Sequence, residues 1–361
     1  MNIIYVIEDY SENGGVERIV SDKANTLFTH YHHNVTLISV YRDNRKEQFK
    51  LDDVINLTHL YVPLAKRTTN SIIRLISRLY TIFIAILRLN KVIKGLHPDL
   101  VFFTTTLGAI LLPFCHTKAR KIYESHLARN FNPFNKLFFL TELRAERIVC
   151  LTSGDEKEYK YAKRVDIIPN YINDVKSYVE DYSVKKAIAV GRLEYQKGFD
   201  ILIDCWKEIA KQYPDWQLDI YGEGSCRKEL QRQINSLQLG EKVKLCDRNN
   251  NIIEIYPQYS LHLMTSRYEG LPMTLIEAQA CGLSSVVFDY QYGASDIVSN
   301  GNNGLIIEQG NRKLFIEAAI KMMTSEKLRR EYGTHALTTG KHYSKEKIMK
   351  KWLNIIDDGL S

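Results

Sequence analysis

Cysteine is scarce in this chain of 361 residues, and the few cysteines present are scattered. No Cys-x-x-Cys pair occurs, and no histidine stands at the spacing of a zinc ligand. The pattern therefore favours reduced thiols over a disulfide framework or a zinc site. The cysteines are Cys115, Cys150, Cys205, Cys226, Cys246 and Cys281.

The chain also lacks a recognisable targeting segment and any low-complexity stretch. Residues 1–10 have no basic region and no long apolar run, so we interpret them as a first β-strand rather than a signal peptide. Hydrophobic residues make up 45% and charged residues 25%. This composition is typical of a soluble globular protein, and the length allows two domains.

Positive charge is distributed unevenly along the chain, whose net charge is +7. Residues 1–170 carry 24 basic and 17 acidic residues, whereas the remainder carries 25 of each. The excess is concentrated in residues 57–150, with 14 basic and 4 acidic residues. No nucleic-acid recognition motif accompanies this region, so a membrane surface or an anionic lipid-linked substrate is the favoured partner.

Apolar strand-like segments alternate with helical segments almost throughout. This alternation predicts parallel sheets covered on both faces by helices. Ordinary domain sizes favour two sheets of about five strands over one of ten. We therefore expect an α/β protein with two Rossmann-like, doubly wound domains. The predicted strands are Ile3–Ile7, Val35–Val40, Leu100–Thr104, Lys121–Tyr123, Arg147–Leu151, Ala187–Val190, Gln217–Tyr221, Val243–Leu245, Leu261–Met264 and Ser285–Phe288.

The domain boundary is predicted where this alternation stops. Pro169 and Asn170 end the first series, and residues 171–184 are polar and without a strong periodic pattern. We assign residues 1–170 to a first domain, 171–184 to a linker and 185–343 to a second domain. A final helix at about 344–358, with Ser344 as its N-cap, is expected to pack back on the first domain.

The segment Asn70–Gly95 is predicted to form an amphipathic basic helix. Its charged residues are too many for a membrane-spanning helix. At about 100° per residue, Arg74, Arg78 and Arg88 fall on one face. That face suits an anionic membrane or a pyrophosphate-linked lipid. The alternative is an ordinary packed helix whose arginines face water.

Two glutamates, Glu269 and Glu277, flank a turn that opens a helix. The turn Gly270–Pro272 follows the predicted strand Leu261–Met264. Exposed amides at a helix start bind anions, and a carboxylate one to two turns into the helix suits the two hydroxyls of a ribose. The alternative is a surface helix that happens to carry two glutamates.

Two cations follow the predicted strand Ala187–Val190. Arg192 and Lys197 lie five residues apart and precede Gly198. A pair of cations at the end of a strand and beside a helix start suits a diphosphate, which arginine binds in a bidentate way and lysine as a point charge. The alternative is two solvated loop cations.

Two weaker signals come from the first predicted domain. Gly14 and Gly15 follow the first strand and open a helix, where a doubly wound sheet places its phosphate loop, although the pattern is not Gly-x-Gly-x-x-Gly. His126 follows a strand, where its imidazole points into the ligand crevice. A lone histidine is more often structural, and a glycine pair is common.

Taken together, these motifs resemble the retaining family 4 glycosyltransferases of the GT-B architecture, in which two Rossmann-like domains face each other across a cleft. The resemblance covers nearly the whole chain and is strongest over residues 185–310. The segment at 292–298 and the basic helix are similar to bacterial members that extend polyprenyl-diphosphate-linked glycans or surface polysaccharides. The motifs are VGRLEYQKGFD at Val190–Asp200, YGEG at Tyr221–Gly224, Glu269 with Glu277, Gly14-Gly15, and Ile168–Asn170.

The resemblance implies a role for each motif. Arg192 and Lys197 match the pair that neutralises the donor diphosphate and stabilises the leaving nucleotide. Glu277 matches the ribose-binding glutamate, Glu269 the glutamate beside the transferred sugar, and His126 a histidine that positions the sugar. The remaining implied donor-binding positions are Gly14, Gly15, Gly191, Gly222, Gly270, Leu271, Pro272 and Met273.

The implied reaction transfers a hexose or N-acetylhexosamine from a nucleotide diphosphate sugar, UDP rather than GDP, to a glycan or polyprenyl-diphosphate-linked glycan. Retention of configuration by front-face attack is also implied. Asp-x-Asp is absent, so no metal and no cofactor besides the donor is expected. The implied location is cytoplasmic, peripheral on the inner face of the cell membrane.

The sequence departs from the family pattern in two places. Asp247 stands where many members have a glycine in the loop that meets the base, which weakens the choice between UDP and GDP. The segment 292–296, Tyr-Gly-Ala-Ser-Asp, replaces a more usual Gly-Gly-x-x-Glu, which puts the selectivity for the sugar in doubt.

Three other functions are compatible with parts of the pattern. A non-hydrolysing nucleotide-sugar 2-epimerase shares the two-domain architecture, but its reaction does not require a helix that binds a membrane. In a non-catalytic nucleotide-sugar-binding subunit we would expect some of the residues that bind the donor to be missing. Arg192, Lys197, Glu269 and Glu277 are all present. A nucleic-acid surface lacks its recognition motifs.

Overall fold

The structure of the protein, a computed structural model, describes residues 1–12, 14–42, 47–65, 69–131 and 137–358. Asn13 of the glycine-pair motif and Lys66, Arg67 and Lys136 of the basic region lie outside these residues. The chain divides into two compact units. The first contains Met1–Leu151 and Asp155–Ile168, and the second contains Thr152–Gly154 and Pro169–Ser361.

The first unit is built on a parallel sheet with seven strands in the described residues. The strand order is β3-β2-β1-β4-β5-β6-β7, so the chain reverses its winding direction between β1 and β4. Ligands of open parallel sheets bind beside the carboxyl ends of the strands at such a switch point. The strands are β1 (Asn2–Ile7), β2 (Asn34–Ser39), β3 (Asn56–His59), β4 (Leu100–Thr104), β5 (Arg120–Glu124), β6 (Arg147–Cys150) and β7 (Val165–Ile167).

The helices of this unit bury apolar side chains against the sheet. In the first helix, Val20, Ala24 and Leu27 share one face and are fully buried, which is the spacing of an amphipathic helix. The helices are α1 (Gly15–Thr29), α2 (Ser71–Leu96), α3 (Thr105–Leu111) and α4 (Phe139–Arg144), and α5 (Ser153–Glu156) lies across the division between the units.

The second unit repeats this architecture with a six-stranded parallel sheet, counted over the residues described. The order is β10-β9-β8-β11-β12-β13, which places the switch point between β8 and β11. The strands are β8 (Lys186–Val190), β9 (Gln217–Tyr221), β10 (Val243–Cys246), β11 (Leu261–Met264), β12 (Ser285–Asp289) and β13 (Gly304–Glu308).

Apolar side chains from one face of this sheet and from the helices packed on it form a core cluster of the second unit, in which Trp206, Phe288 and Phe315 are fully buried. Burial of such side chains contributes roughly 1.5–3 kcal/mol each to stability. The helices are α6 (Phe199–Gln212), α7 (Arg227–Ser236), α8 (Met273–Ala280), α9 (Ala294–Ile297), α10 (Arg312–Thr324), α11 (Glu326–Gly340) and α12 (Lys345–Asp357).

Two α/β units with parallel sheets confirm the predicted fold class, and the sheets have seven and six described strands where about five each were expected. The three unpredicted strands, β3, β7 and β13, all lie at sheet edges. Edge strands are short and half exposed, so they carry weak apolar patterns. In β3, for example, only Leu57 is aliphatic, and none of its residues is fully buried.

The two segments outside the predicted domains belong to the second unit. Residues 171–184 run along it, since the amide of Val179 donates to the carbonyl of Cys281 and the Tyr182 hydroxyl donates to the carbonyl of Gly282. Helix α12 begins after Ser344, which occupies the predicted N-cap position, but its side chain makes no capping hydrogen bond. The expected return of this helix to the first domain stays a prediction.

Candidate functional site

The two strongest motifs of the second unit follow β8 and β11, the strands on either side of its switch point. Lys197 lies in the loop after β8 and Glu269 in the loop after β11, and the lysine Nζ is 2.6 Å from the glutamate Oε1. Both side chains are nearly buried, with 12% and 7% of their surface exposed. The fold thus joins two motifs that are 72 residues apart in sequence.

Glu269 is held by two further hydrogen bonds. The Ser266 hydroxyl donates to Oε1 at 2.7 Å, and the Gln196 amide donates to Oε2 at 3.3 Å. Burial of a carboxylate requires such partners, because an unpaired charge away from water is costly. Neither Ser266 nor Gln196 was among the predicted site residues.

Backbone contacts fix the loop that carries Lys197. Gly198 has φ of 64°, a left-handed conformation that favours glycine, and a Cβ there would stand 2.1 Å from the Thr265 carbonyl oxygen. The Thr265 hydroxyl donates to the Gly198 carbonyl at 2.9 Å. At Gly191 an added Cβ would meet the Lys197 side chain at 3.0 Å, so the lysine stem lies against that glycine.

An ion pair that the sequence did not predict braces the same two loops. Both terminal nitrogens of Arg267 bind the Asp200 carboxylate, at 2.9 and 2.6 Å. The guanidinium also stacks over the Tyr195 ring, 3.8 Å from its centroid. The backbone amide of Arg267 donates to the Gln196 carbonyl at 2.8 Å. These contacts give Lys197 a fixed position relative to Glu269.

Arg192, the second predicted cation, is exposed beside this pair. Its Nη2 donates to the Gln196 side-chain oxygen at 3.2 Å, whereas the same Gln196 side chain donates to Glu269. Gln196 therefore connects Arg192 with the carboxylate. The guanidinium carries five donors in a planar fork, which is suited to the oxygens of a phosphate.

Helix α8 begins at Met273, directly after the predicted turn Gly270–Pro272, with Pro272 in the N-cap position. Gly293 packs against this turn, since a Cβ on it would stand 2.8 Å from the Gly270 carbonyl oxygen, and Leu271 is half-buried. Glu277 lies just over one turn into the helix and is 9% exposed. Burial and the Glu277 charge raise the pKa of Cys281 to about 12.

The loop after β9 lies close to the loop after β8. A Cβ on Gly222 would stand 1.9 Å from the Gly191 carbonyl oxygen, so only glycine fits there. Arg227 donates to the Gly222 carbonyl at 3.3 Å and pairs with Asp247 at 2.9 Å. Asp247, in the loop that follows β10, thus supplies an ion-pair partner to Arg227 at the start of α7.

In the first unit, His126 stands two residues beyond β5 and is nearly buried. Its Nε2 is 3.2 Å from Oε1 of Glu124, the last residue of that strand, although the ring is not aligned for a hydrogen bond. The Nζ of Lys23 on α1 is 2.5 Å from both oxygens of the same carboxylate. Burial alone raises the pKa of Glu124, but Lys23 and then His126 outweigh it and lower the pKa to about 2.

Further polar side chains of the first unit follow the carboxyl ends of β1 and β4. Glu8 follows β1, and Thr105 follows β4 with φ of 63°, an unusual conformation for a β-branched residue. Glu17 on α1 lies over Gly14, where a Cβ would stand 2.2 Å from Oε2, whereas a Cβ on Gly15 would meet no described heavy atom within 4 Å. Burial is the main cause that raises the pKa of both Glu8 and Glu17.

No cluster of three or more histidine, cysteine, aspartate or glutamate side chains suited to a metal ion occurs in the described part of the chain. The cations at the switch point of the second unit are Arg192 and Lys197. Preorganised cations of this kind stabilise negative charge that develops on phosphate oxygens.

Comparisons with known proteins identify similar glycosyltransferases. Residues 172–338 match the family described as Glycosyl transferases group 1. The whole chain is 29% identical to the amylovoran biosynthesis glycosyltransferase AmsD of Erwinia amylovora, covering 98% of this chain and 99% of that protein. It is 28% identical to the N-acetylgalactosamine-N,N'-diacetylbacillosaminyl-diphospho-undecaprenol 4-alpha-N-acetylgalactosaminyltransferase of Campylobacter jejuni, over 64% of this chain and 66% of that protein.

The fold is also similar to that of solved glycosyltransferases. The apo form of the lipopolysaccharide outer core galactosyltransferase WaaB superposes with a TM-score of 0.79 at 18% identity, over 99% of this chain and 100% of that one. The two parallel-sheet units therefore have the GT-B fold. Together the matches support a glycosyltransferase, and the name of AmsD assigns that protein to amylovoran biosynthesis.

Proposed function

We propose that this protein is a retaining, metal-independent glycosyltransferase of the family 4 type. In this proposal it transfers a hexose or N-acetylhexosamine from a nucleotide diphosphate sugar, UDP rather than GDP. The acceptor is a glycan or a polyprenyl-diphosphate-linked glycan of surface polysaccharide biosynthesis, and the reaction takes place at the inner face of the cell membrane.

The observation that carries the proposal is the assembly of Lys197 and Glu269 at the switch point of the second unit, with Arg192 connected to them through Gln196. Departure of a nucleotide diphosphate places negative charge on phosphate oxygens. Two cations at fixed positions stabilise that charge without a metal. The carboxylate of Glu269 is held beside them, where it is suited to accept hydrogen bonds from sugar hydroxyls.

Other parts of the donor would be bound by neighbouring groups. The amides at the start of α8, from Gly270 to Met273, provide donors for phosphate or sugar oxygens. Glu277, further along the same helix, would accept hydrogen bonds from the ribose. The open space over Gly15 and the imidazole of His126 in the first unit would serve the diphosphate and the sugar.

The proposed acceptor class is based on the names of two similar proteins. The name of the Campylobacter jejuni protein specifies a diphospho-undecaprenol-linked acceptor, and AmsD acts in the biosynthesis of a polysaccharide. An acceptor of this kind is anionic and lipid-linked, which is consistent with the basic excess over residues 57–150.

Donor binding and slow donor hydrolysis by the purified protein test the proposal. A panel of UDP- and GDP-hexoses and N-acetylhexosamines is offered in the presence of EDTA, beside Arg192→Ala and Glu277→Ala. We expect one donor to bind and hydrolyse, and both variants to lose this activity. Lys211 is an exposed cation outside the candidate site, so the control variant Lys211→Ala should retain donor binding and hydrolysis.

Four results would count against the proposal. Absence of binding to every donor would favour a non-catalytic role, and interconversion of UDP-sugars at C2 would favour an epimerase. If proton NMR during transfer showed the inverted anomer as the first product, retention of configuration would be excluded. Activity that depends on a divalent cation would exclude metal independence.

A further inference from the structure

The first half of helix α2 projects apolar side chains into solvent. Only Thr81, Ala85, Leu89 and Ile93 of this helix are buried, and they form one stripe at intervals of four residues. No residue from 71 to 80 is buried. The exposed large apolar side chains are Ile72, Ile73, Leu75, Ile76, Leu79, Tyr80, Phe83 and Leu87.

These side chains form a continuous outward face. At about 100° per residue, Leu79 and Phe83 both point about 160° away from Thr81, opposite the buried stripe, and Ile72 and Ile76 lie in the same sector. Ile76, Leu79 and Phe83 are 61%, 58% and 56% exposed. A set of neighbouring apolar side chains this large is unusual on a protein surface and marks a site of interaction.

The arginines do not form that apolar face, although they share one side of the helix as the spacing predicts. Arg74 and Arg88 lie about 20° from Thr81, and Arg78 lies about 60° from it, so all three share the sector of the buried stripe. The Nη1 of Arg88 donates to the carbonyls of Leu60 and Tyr61, so this guanidinium is bound to the first unit. The outward face is therefore apolar, and the three arginines lie on the other side of the helix.

The charges of α2 indicate what covers this face. All five charged residues of the helix are positive, and none is acidic. Two copies packed through α2 would bring ten positive charges together without a counter-charge. An anionic bilayer instead accepts the apolar side chains and attracts the cations, at about 1 kcal/mol for each lysine or arginine near the surface. The charged residues are Arg74, Arg78, Arg88, Lys91 and Lys94.

We propose that the outward apolar face of α2 inserts into the surface of an anionic phospholipid bilayer. Among the described residues, no helix is long and apolar enough to span a membrane. The helix would lie in the interface, with Ile76, Leu79 and Phe83 among the acyl chains and Arg74 and Arg78 at the level of the headgroups. This inference concerns where the protein acts and does not depend on which donor it uses.

Vesicle flotation with the full-length protein tests the inference. The vesicles contain phosphatidylcholine with phosphatidylglycerol at roughly three to one, or phosphatidylcholine alone. The variant I76Q/L79Q/F83Q removes the apolar face with residues that favour helix. The control L143Q/Y161Q/L314Q changes three exposed large apolar side chains outside α2. Circular dichroism and donor binding are measured for both variants.

We expect the parent and the control to float with the phosphatidylglycerol vesicles and the α2 variant to bind at least tenfold more weakly. Raising the salt to about 0.5 M should weaken parental binding, since the cations are screened. Unchanged flotation of the α2 variant would overturn the inference. A vesicle-independent dimer that the α2 variant loses in sedimentation would overturn it in favour of a second copy. Loss of donor binding by the parent would instead count against the proposed function alone.

Discussion

Lys23 on α1 and Glu124 at the end of β5 form an ion pair that is shielded from water, with 0% and 2% of their side-chain surface exposed. Helix α1 follows the glycine pair, and β5 precedes His126. The pair therefore links α1, the helix that begins at the Gly14–Gly15 motif, to β5, the strand that precedes His126. A buried ion pair is seldom a source of net stability, but removal of one partner is costly.

Lys23→Met is expected to lower the free energy of unfolding by about 3–5 kcal/mol, because it leaves Glu124 charged and buried without its partner. The double variant K23M/E124M replaces both groups by apolar side chains of similar volume and should recover most of this loss. Urea denaturation followed by far-UV circular dichroism provides the comparison. Equal stability of the two variants would show that the pair does not behave as a coupled unit.

The same pair makes stability depend on acid pH. Glu124 has a folded-state pKa of about 2, below the ordinary value of 4.5. A lowered carboxyl pKa stabilises the folded chain above the unfolded pKa, and this contribution is lost as the pH falls from about 4.5 towards 2. The parent should therefore lose more stability over this range than K23M/E124M does. Parallel pH profiles of unfolding for the two proteins would contradict the expectation.

Gly198→Ala is expected to destabilise the protein and to displace Lys197. The left-handed conformation alone costs alanine about 1–2 kcal/mol, and the added Cβ would stand 2.1 Å from the Thr265 carbonyl oxygen. Gly240→Ala is the matched control, since its φ is not left-handed and no described heavy atom lies within 4 Å of its Cβ. Thermal unfolding and donor hydrolysis are measured for both. Equal behaviour of the two variants would show that the loop accommodates the methyl group by a small shift.

The sequence predicts the central strands and the two loops of the second-unit site for a physical reason. Strands β8 and β11 are buried on both faces, so they are nearly continuous apolar runs, and functional side chains follow them directly. Glycine, proline and charged residues at these strand ends are therefore local signals. Arg192, Lys197 and Glu269 were found in this way.

The partners of these residues carry no comparable local signal. Gln196 and the Arg267–Asp200 pair are ordinary polar residues whose importance comes from contacts across 67 to 73 positions of sequence. Ser266 lies only three positions from Glu269, but a serine there is equally ordinary. Lys23 is different, since it lies three residues after Val20 and one before Ala24, within the apolar stripe of α1. A lysine at such a position predicts a buried partner, although only the fold identifies that partner as Glu124, 101 residues away.

The orientation of α2 shows a second limit of sequence analysis. The spacing of Arg74, Arg78 and Arg88 correctly places them on one side of the helix. It does not say which side faces the protein, because apolar residues occur all around the helix. Packing of Thr81, Ala85 and Leu89 against the first unit decides this and leaves the more apolar side outside.

Lys197→Met is expected to lower kcat/KM for transfer by roughly 10²–10³, the effect typical of losing one preorganised group that stabilises transition-state charge. The methionine preserves the packing against Gly191, and Ser266 and Gln196 still hold Glu269, so the fold should survive. Lys211→Met, which removes a cation from an exposed pair with Glu208, should change kcat/KM less than twofold, because exposed pairs of this kind contribute little. Steady-state kinetics of both variants with the donor identified by binding provide the measurement. A Lys197→Met enzyme with parental kcat/KM would mean that the ammonium serves only to neutralise Glu269, and Arg192 alone would then remain as the cation for the leaving diphosphate.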